Sequence, residues 1–118
     1  MIKLEGIALR YGGGGDVLRD VNFHLRPGSF HFLTGPSGSG KTSLLRLLFM
    51  SIQPTRGHLQ ILGQDASRIN PSRRANLRRR IGIVFQDFRL LDHLTTYENV
   101  ALPLRVTGKR VSDYKEDV

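Results

Sequence analysis

The segment that most constrains how this chain can fold is Gly35–Thr42, which reads Gly-Pro-Ser-Gly-Ser-Gly-Lys-Thr. It matches the phosphate-binding pattern G-x-x-x-x-G-K-[ST] at every fixed position, and we call it the phosphate loop. Glycines let successive backbone N–H groups point at one anion, and the helix that follows adds its own free N–H groups. The pattern therefore predicts a strand, a tight loop and a helix, in that order.

The same pattern predicts the chemistry of a nucleotide site. Lys41 would place an ammonium among the β- and γ-phosphates of ATP, and the Thr42 hydroxyl would bind Mg²⁺, a cation that prefers oxygen ligands. The candidate nucleotide-binding residues are Gly35, Pro36, Ser37, Gly38, Ser39, Gly40, Lys41, Thr42 and Ser43. The competing explanation is a Gly/Ser turn with a solvated lysine, and the residues on either side of the loop argue against it.

Those flanking residues have the expected periodicity. The aromatic run within 29–34 predicts a buried strand before the loop. After the loop, Leu44, Leu47 and Leu48 recur at helical spacing, and Pro54 lies just beyond the expected helix end. Further strands are predicted over 2–10, 21–25, 58–62 and 81–85, and helices over 71–80, over 95–104 and from Ser112 onwards. The mixture predicts an α/β fold.

Composition limits the remaining possibilities. A chain of 118 residues accommodates one domain, and the absence of cysteine excludes disulfides and thiolate metal sites. No apolar run approaches the roughly 18 residues that a membrane span needs, so we expect a cytoplasmic protein. The formal net charge is +8, and eleven Lys and Arg against four Asp and Glu lie between Arg56 and Arg110. Such an excess of positive charge favours binding to a polyanionic partner, which could be a nucleotide, a nucleic acid or an anionic membrane surface.

An arginine run, Arg73, Arg74, Arg78, Arg79 and Arg80, holds much of that charge. A solvated helix face is the simpler interpretation, and contact with anionic lipid or with a partner is the alternative.

Three further features carry a resemblance. Tyr11 lies 24 residues before Gly35, the segment 21–28 has the form of a strand and turn entering the loop, and the segment 81–86 ends in Gln86. Over nearly its whole length the chain resembles the ATP-binding subunits of ABC transporters. The resemblance implies ATP and Mg²⁺ as cofactors and adenine stacking by Tyr11. It also implies that Gln86 reaches Mg²⁺ and the attacking water, so that Lys41 and Gln86 are the catalytic candidates.

Segments 85–91 and 96–101 look most like the cell-division branch of that family. This implies an integral membrane partner (an FtsX-like permease), a homodimer in the complete protein, and a peripheral position on the inner face of the plasma membrane. The alternatives are the ATPase subunit of a lipoprotein-release or solute transporter, and a basic nucleic-acid-binding module. No zinc site, RNA-binding aromatic pattern or helix-turn-helix signal supports the last, so no nucleic acid is expected.

The family also needs an acidic hhhhDE strand, an LSGGQ-type signature and a switch histidine, and all three lie downstream of the position that matches Val118. We therefore expect a P-loop NTPase core of the ABC ATPase type, truncated after the Q-loop around Gln86 and the start of the α-helical subdomain. It would be the N-terminal part of one nucleotide-binding domain, with a β-rich core over 1–86 and helical residues over 87–118. We expect weak nucleotide binding without sustained turnover, and an inactive truncated chain is the remaining alternative.

Overall fold

Strand β1 (Ile2–Arg10) is an inner strand of a four-stranded antiparallel sheet. It pairs on one side with β2 (Asp16–Leu25) and on the other with β3 (Arg56–Ile61), which in turn pairs with the short β4 (Gln64–Asp65). The register sets Leu4 opposite both Phe23 and Leu59. The strand order is therefore β2-β1-β3-β4, and the strands predicted over 2–10, 21–25 and 58–62 are confirmed.

The computed structural model describes residues 1–116 and 118, which divide into two units. Unit 1 is Met1–Ile81 and holds the sheet, helix α1 (Lys41–Leu48) and helix α2 (Pro71–Arg78). Unit 2 is Gly82–Val118 and holds helix α3 (Thr96–Val106) and a short 3₁₀ helix, Val111–Asp113. Among the described residues, no helix combines the length and apolar character that crossing a bilayer requires.

The core of unit 1 lies between the sheet and its two helices. Helix α1 contributes Leu44 and Leu47, and helix α2 contributes Leu77, as their apolar spacing predicts. The cluster consists of Leu4, Ile7, Leu9, Leu18, Leu44, Leu47, Met50, Leu59, Ile61, Ala66 and Leu77. The sheet and α1 are thereby fixed against each other, and this packing positions the phosphate loop.

Two predicted strands do not form. The buried strand expected over 29–34 is an irregular segment, with the rings of Phe30 and Phe32 81% and 84% exposed. The strand expected over 81–85 is also irregular, although Val84 is fully exposed between half-buried neighbours, as in a strand. A strand needs a neighbour for its N–H and C=O groups, and within the described residues the sheet contains only β1 to β4. Both predictions were therefore wrong.

The helix of unit 2 begins where the sequence predicts. The Thr95 hydroxyl accepts a hydrogen bond from the Glu98 N–H at 3.3 Å, and the Glu98 carboxylate accepts one from the Thr95 N–H at 2.8 Å. This reciprocal cap confirms the predicted helix start. The helix expected from Ser112 onwards is wrong as far as Glu116, because the 3₁₀ helix is followed by a turn. The part of that prediction that falls on Asp117 lies outside the described residues.

Candidate nucleotide-binding site

The phosphate loop runs into the start of α1, whose first two residues, Lys41 and Thr42, are also the last two of the loop, and the loop residues up to Ser39 are exposed. Gly40 occupies the N-cap position of α1 with a φ of 90°, and no side chain caps the helix. The first turn also contains no acidic residue. Because the first N–H groups of a helix lack acceptors within the helix and carry partial positive charge, this end of α1 is suited to an anion.

The loop is too closely packed for side chains at two glycines. A Cβ atom on Gly40 would lie 2.8 Å from Cδ2 of Leu18 and 3.2 Å from the carbonyl oxygen of Val17. A Cβ on Gly35, which has a φ of 151°, would lie 2.8 Å from the Ser39 hydroxyl. Strand β2 therefore supports the loop through Val17 and Leu18, a support that the sequence pattern alone did not reveal.

Lys41 turns its ammonium back onto the loop. Its Nζ donates hydrogen bonds to the carbonyl oxygens of Gly35 at 2.8 Å and Pro36 at 2.7 Å, and lies 3.5 Å from the Ser39 hydroxyl. The positive charge is thus held on the loop by neutral acceptors. Because a phosphate forms stronger, charge-assisted bonds with an ammonium, it would compete well for the same cation.

Tyr11 is brought to the first turn of α1. Its hydroxyl donates to the Ser43 hydroxyl at 3.3 Å, while the residue stays 43% exposed. The position depends on a pair that sequence reasoning missed: Arg10 and Asp16, opposite each other in the sheet, form a 2.9 Å salt bridge that closes the loop beginning at Tyr11. Arg56 adds a second contact to Asp16 at 3.7 Å.

These residues fit a nucleotide with its metal ion. Free N–H groups, one ammonium and the exposed Thr42 hydroxyl all belong to the loop and the first turn of α1. Phosphate oxygens would meet the N–H groups and Lys41, and Thr42 offers the type of oxygen ligand that Mg²⁺ prefers. The aromatic face of Tyr11 is available to stack on a base.

Gln86 lies in unit 2, in an exposed irregular segment, so its predicted place beside Thr42 stays a prediction. The residues after it form a strained turn, because Phe88 and Arg89 have φ values of 50° and 53°, which non-glycine residues rarely adopt. The Arg89 guanidinium donates to the Asp87 carboxylate at 3.3 Å and lies 4.1 Å from the centre of the Phe85 ring.

Unit 2 also contains an open, mainly apolar groove of about 210 Å³. It is lined by Leu90, Leu91, Asp92, Leu94, Thr96, Asn99 and Val100. The Asn99 side chain shapes it: its Oδ1 accepts from the Leu91 N–H at 2.8 Å, and its Nδ2 donates to the carbonyls of Leu91, Leu94 and Thr95. Asn99 belongs to no catalytic or binding motif in the sequence, although an amide in the first turns of a helix can bind the preceding loop.

One carboxyl group of unit 2 has a shifted pKa. The backbone N–H and the hydroxyl of Thr95 both donate to Glu98 at 2.8 Å and hold the pKa of Glu98 below its ordinary value of 4.5. Hydrogen bonds to the charged form cause this shift, since they stabilise the carboxylate relative to the acid.

The fold and the phosphate loop define the class of this protein as an ATP-binding cassette. A family model described as "ABC transporter" matches residues 18–118, and the chain belongs to that family. The expected α/β fold of the ABC ATPase type is confirmed by a solved structure, the dimeric post-hydrolysis state of the ATP-binding cassette MJ0796 bound to ADP and Pi. Its TM-score is 0.85 at 34% identity, with 93% of this chain and 49% of that chain covered.

Two curated relatives are similar to this chain over most or all of its length. The chain is 41% identical over 118 residues to the cell division ATP-binding protein FtsE of Escherichia coli (strain K12), covering 100% of this chain and 53% of that protein. It is 44% identical over 117 residues to the macrolide export ATP-binding/permease protein MacB of Syntrophobacter fumaroxidans, covering 96% of this chain and 16% of that protein. The chain thus spans about half the length of FtsE.

Proposed function

We propose that this chain binds ATP with Mg²⁺ as part of the ATP-binding subunit of an ABC complex of the cell-division type. The observation that carries the proposal is the phosphate loop itself. Its ammonium lies on the loop 2.8 Å from the Gly35 carbonyl, beside an uncapped helix start. A triphosphate is the ligand that suits this combination of one lysine ammonium and several backbone N–H donors.

Each residue then has a defined task. The N–H groups of Gly38, Gly40 and Lys41 bind phosphate oxygens, and the Lys41 ammonium moves from the loop carbonyls to the outer phosphates. Thr42 holds Mg²⁺, which when bound neutralises charge on the phosphates. Tyr11 stacks on the adenine ring, while Gln86 is the candidate that orients water beside the metal.

The cell-division assignment is supported by the identity to FtsE over the whole chain. In the complete protein we propose a homodimer on the cytoplasmic side of the plasma membrane, joined to an FtsX-like integral membrane subunit. The groove of unit 2, whose lining includes the exposed Leu90 and Val100, offers apolar surface for a helix of that partner. Nucleotide-dependent movement would then pass to the partner through the segment 86–104.

The second candidate is an ATPase that drives solute export. It is favoured by the 44% identity to a macrolide exporter. The membrane partner distinguishes the two candidates: co-purification with an FtsX-like subunit supports the first, and co-purification with a transport permease supports the second.

The nucleotide proposal is tested by titrating the chain with a fluorescent ATP analogue in the presence of Mg²⁺. Lys41→Ala removes the only ammonium in the loop, and affinity should fall roughly tenfold to a hundredfold, as expected for loss of a charge-assisted contact. Lys109→Ala removes an exposed lysine of unit 2 and serves as the charge-matched control. Equal affinity in both variants would refute the proposal, and phosphate release above the Lys41→Ala level would refute the expectation of no sustained turnover.

A further inference from the structure

A cluster of arginines surrounds the end of α2 in unit 1. Arg73, Arg78, Arg79 and Arg80 are exposed and form what we call the arginine cluster, while Arg74 is half-buried beside Gln53. The cluster spans eight residues, which corresponds to about 10 Å along a helix axis. No Asp or Glu occurs between Asp65 and Asp87, so nothing in the local sequence balances this charge.

The structure leaves the cluster without acidic partners. Within residues 1–116 and 118, the salt bridges use Lys3, Arg10, Arg56, Arg68 and Arg89 as their cations, and none uses an arginine of the cluster. Within the described residues, the one side-chain hydrogen bond of the cluster is to a neutral group, from Arg79 to the Asn76 side chain at 3.2 Å. Four positive charges are therefore free to meet an external anion.

The cluster sits on a firmly anchored element. Leu77 is 2% exposed in the core of unit 1, and the Asn70 side chain caps α2 by accepting the Arg73 N–H at 2.8 Å. Pro71 begins the helix with its backbone already in a helical conformation. Three of the four arginines lie at or beyond the last turn, where the helix dipole favours cations. The charge is thus presented on a rigid surface.

We propose that the arginine cluster binds the anionic phospholipid headgroups of a membrane surface. Guanidinium groups match phosphate geometry with two parallel hydrogen bonds, and a compact basic surface is what an anionic leaflet attracts. Single-stranded nucleic acid is the less suitable phosphate source, because residues 66–84 contain no aromatic side chain on which a base could stack. The inference rests on the proposed function, which places this chain beside a membrane.

Because this binding is electrostatic, its strength depends on the number of arginines and on the salt concentration. Each basic residue near an anionic leaflet strengthens binding by about fivefold at moderate ionic strength. Removing the four arginines should therefore weaken binding by well over tenfold. Raising the salt concentration from about 0.1 M to about 1 M shortens the screening length from roughly 10 to 3 Å and should release the chain.

Co-sedimentation of the full chain with phospholipid vesicles tests the proposal. The chain should bind vesicles that contain phosphatidylglycerol and not vesicles of phosphatidylcholine alone. A variant with Arg73→Gln, Arg78→Gln, Arg79→Gln and Arg80→Gln should lose this binding. A control with Arg19→Gln, Arg26→Gln, Arg105→Gln and Lys109→Gln removes the same charge from exposed positions elsewhere and should retain most of it.

Three outcomes overturn the proposal: equal loss in both variants, binding that survives without the cluster, or duplex DNA binding tighter than the vesicles through the same arginines. If circular dichroism shows that the fourfold variant does not fold, the double variant Arg79→Gln, Arg80→Gln replaces it, because both positions follow the end of α2. The double variant should still lower vesicle binding about tenfold or more. Lys41→Ala should bind vesicles normally. If the unmodified chain binds nucleotide in a Lys41-dependent way but does not bind the phosphatidylglycerol vesicles, this inference alone is refuted.

Discussion

The Tyr11 hydroxyl lies 3.3 Å from the Ser43 hydroxyl, which joins the end of β1 to the first turn of α1. The two residues are 32 positions apart in the chain, and the packing of α1 against the sheet brings them together. Tyr11 is therefore held at the edge of the phosphate loop before any ligand arrives.

Replacing Tyr11 separates the role of its ring from that of its hydroxyl. Tyr11→Phe keeps the ring and should change ATP affinity by no more than about twofold, whereas Tyr11→Ala should lower it roughly threefold to tenfold through lost stacking. Tyr97→Ala removes an equally exposed tyrosine from unit 2 and should have no effect. If Tyr11→Phe were as damaging as Tyr11→Ala, the hydroxyl contact and not stacking would matter.

Gly40→Ala should damage both the fold and the site. The new Cβ would lie 2.8 Å from Leu18 Cδ2 on a backbone with a φ of 90°, so we expect a loss of about 1 to 3 kcal/mol in the free energy of unfolding. Thermal and denaturant unfolding would measure it. Gly15→Ala, where a Cβ meets nothing within 4 Å, is the control and should be nearly neutral. A neutral Gly40→Ala would mean that β2 does not support the loop.

The start of α3 should weaken in acid. Hydrogen bonds from Thr95 hold the pKa of Glu98 below 4.5 in the folded chain, so its stabilising contribution is present above that value and disappears as the pH falls through the lower folded value. The protection factor of the Thr95 amide, which is the exchange rate of an unstructured chain at the same pH divided by the observed rate, should therefore fall as the pH is lowered below 4.5. Glu98→Gln keeps an acceptor that does not titrate and should abolish this dependence. A Thr95 protection factor that does not change with pH in the unmodified chain would contradict the cap.

The exposed pair Phe30 and Phe32, with rings in an edge-to-face contact at 4.9 Å, should bind hydrophobic dyes and promote self-association. Replacing both with threonine should lower dye fluorescence and light scattering, while the free energy of unfolding changes by less than about 0.5 kcal/mol. Val106→Thr, at an exposed valine of α3, is the control. A large loss of stability in the double variant would show that the rings are buried.

Local patterns in the sequence predicted those elements whose formation depends mainly on residues close together in the chain. The phosphate loop, the stripe of α1 and the Thr95 cap follow from short-range spacing, and the structure contains all three. The segments 29–34 and 81–85 have equally good strand composition, yet they remain irregular. Composition reports a preference for the strand conformation, whereas a strand also requires a hydrogen-bonding neighbour from elsewhere in the chain.

The parts of the site that sequence reasoning missed are long-range contacts. In the sequence, Asp16 merely follows four consecutive glycines, and its salt bridge with Arg10 becomes visible only with the sheet register. The support of Gly40 by Leu18 also depends on how α1 packs against β2. The role of Tyr11 is implied by the resemblance to ABC transporter subunits, and the structure supplies the contact with Ser43 that the resemblance could not specify.

The most direct test of the account is to titrate the ¹⁵N-labelled chain with ATP and Mg²⁺ and follow each backbone amide by NMR. Because the method detects weak binding residue by residue, it distinguishes the phosphate loop from the arginine cluster. The account predicts saturable shifts concentrated at Gly38, Gly40, Lys41 and Thr42, and their loss in Lys41→Ala. Amides of the loop that do not respond, or shifts confined to Arg73 and the residues around it, would contradict the central claim.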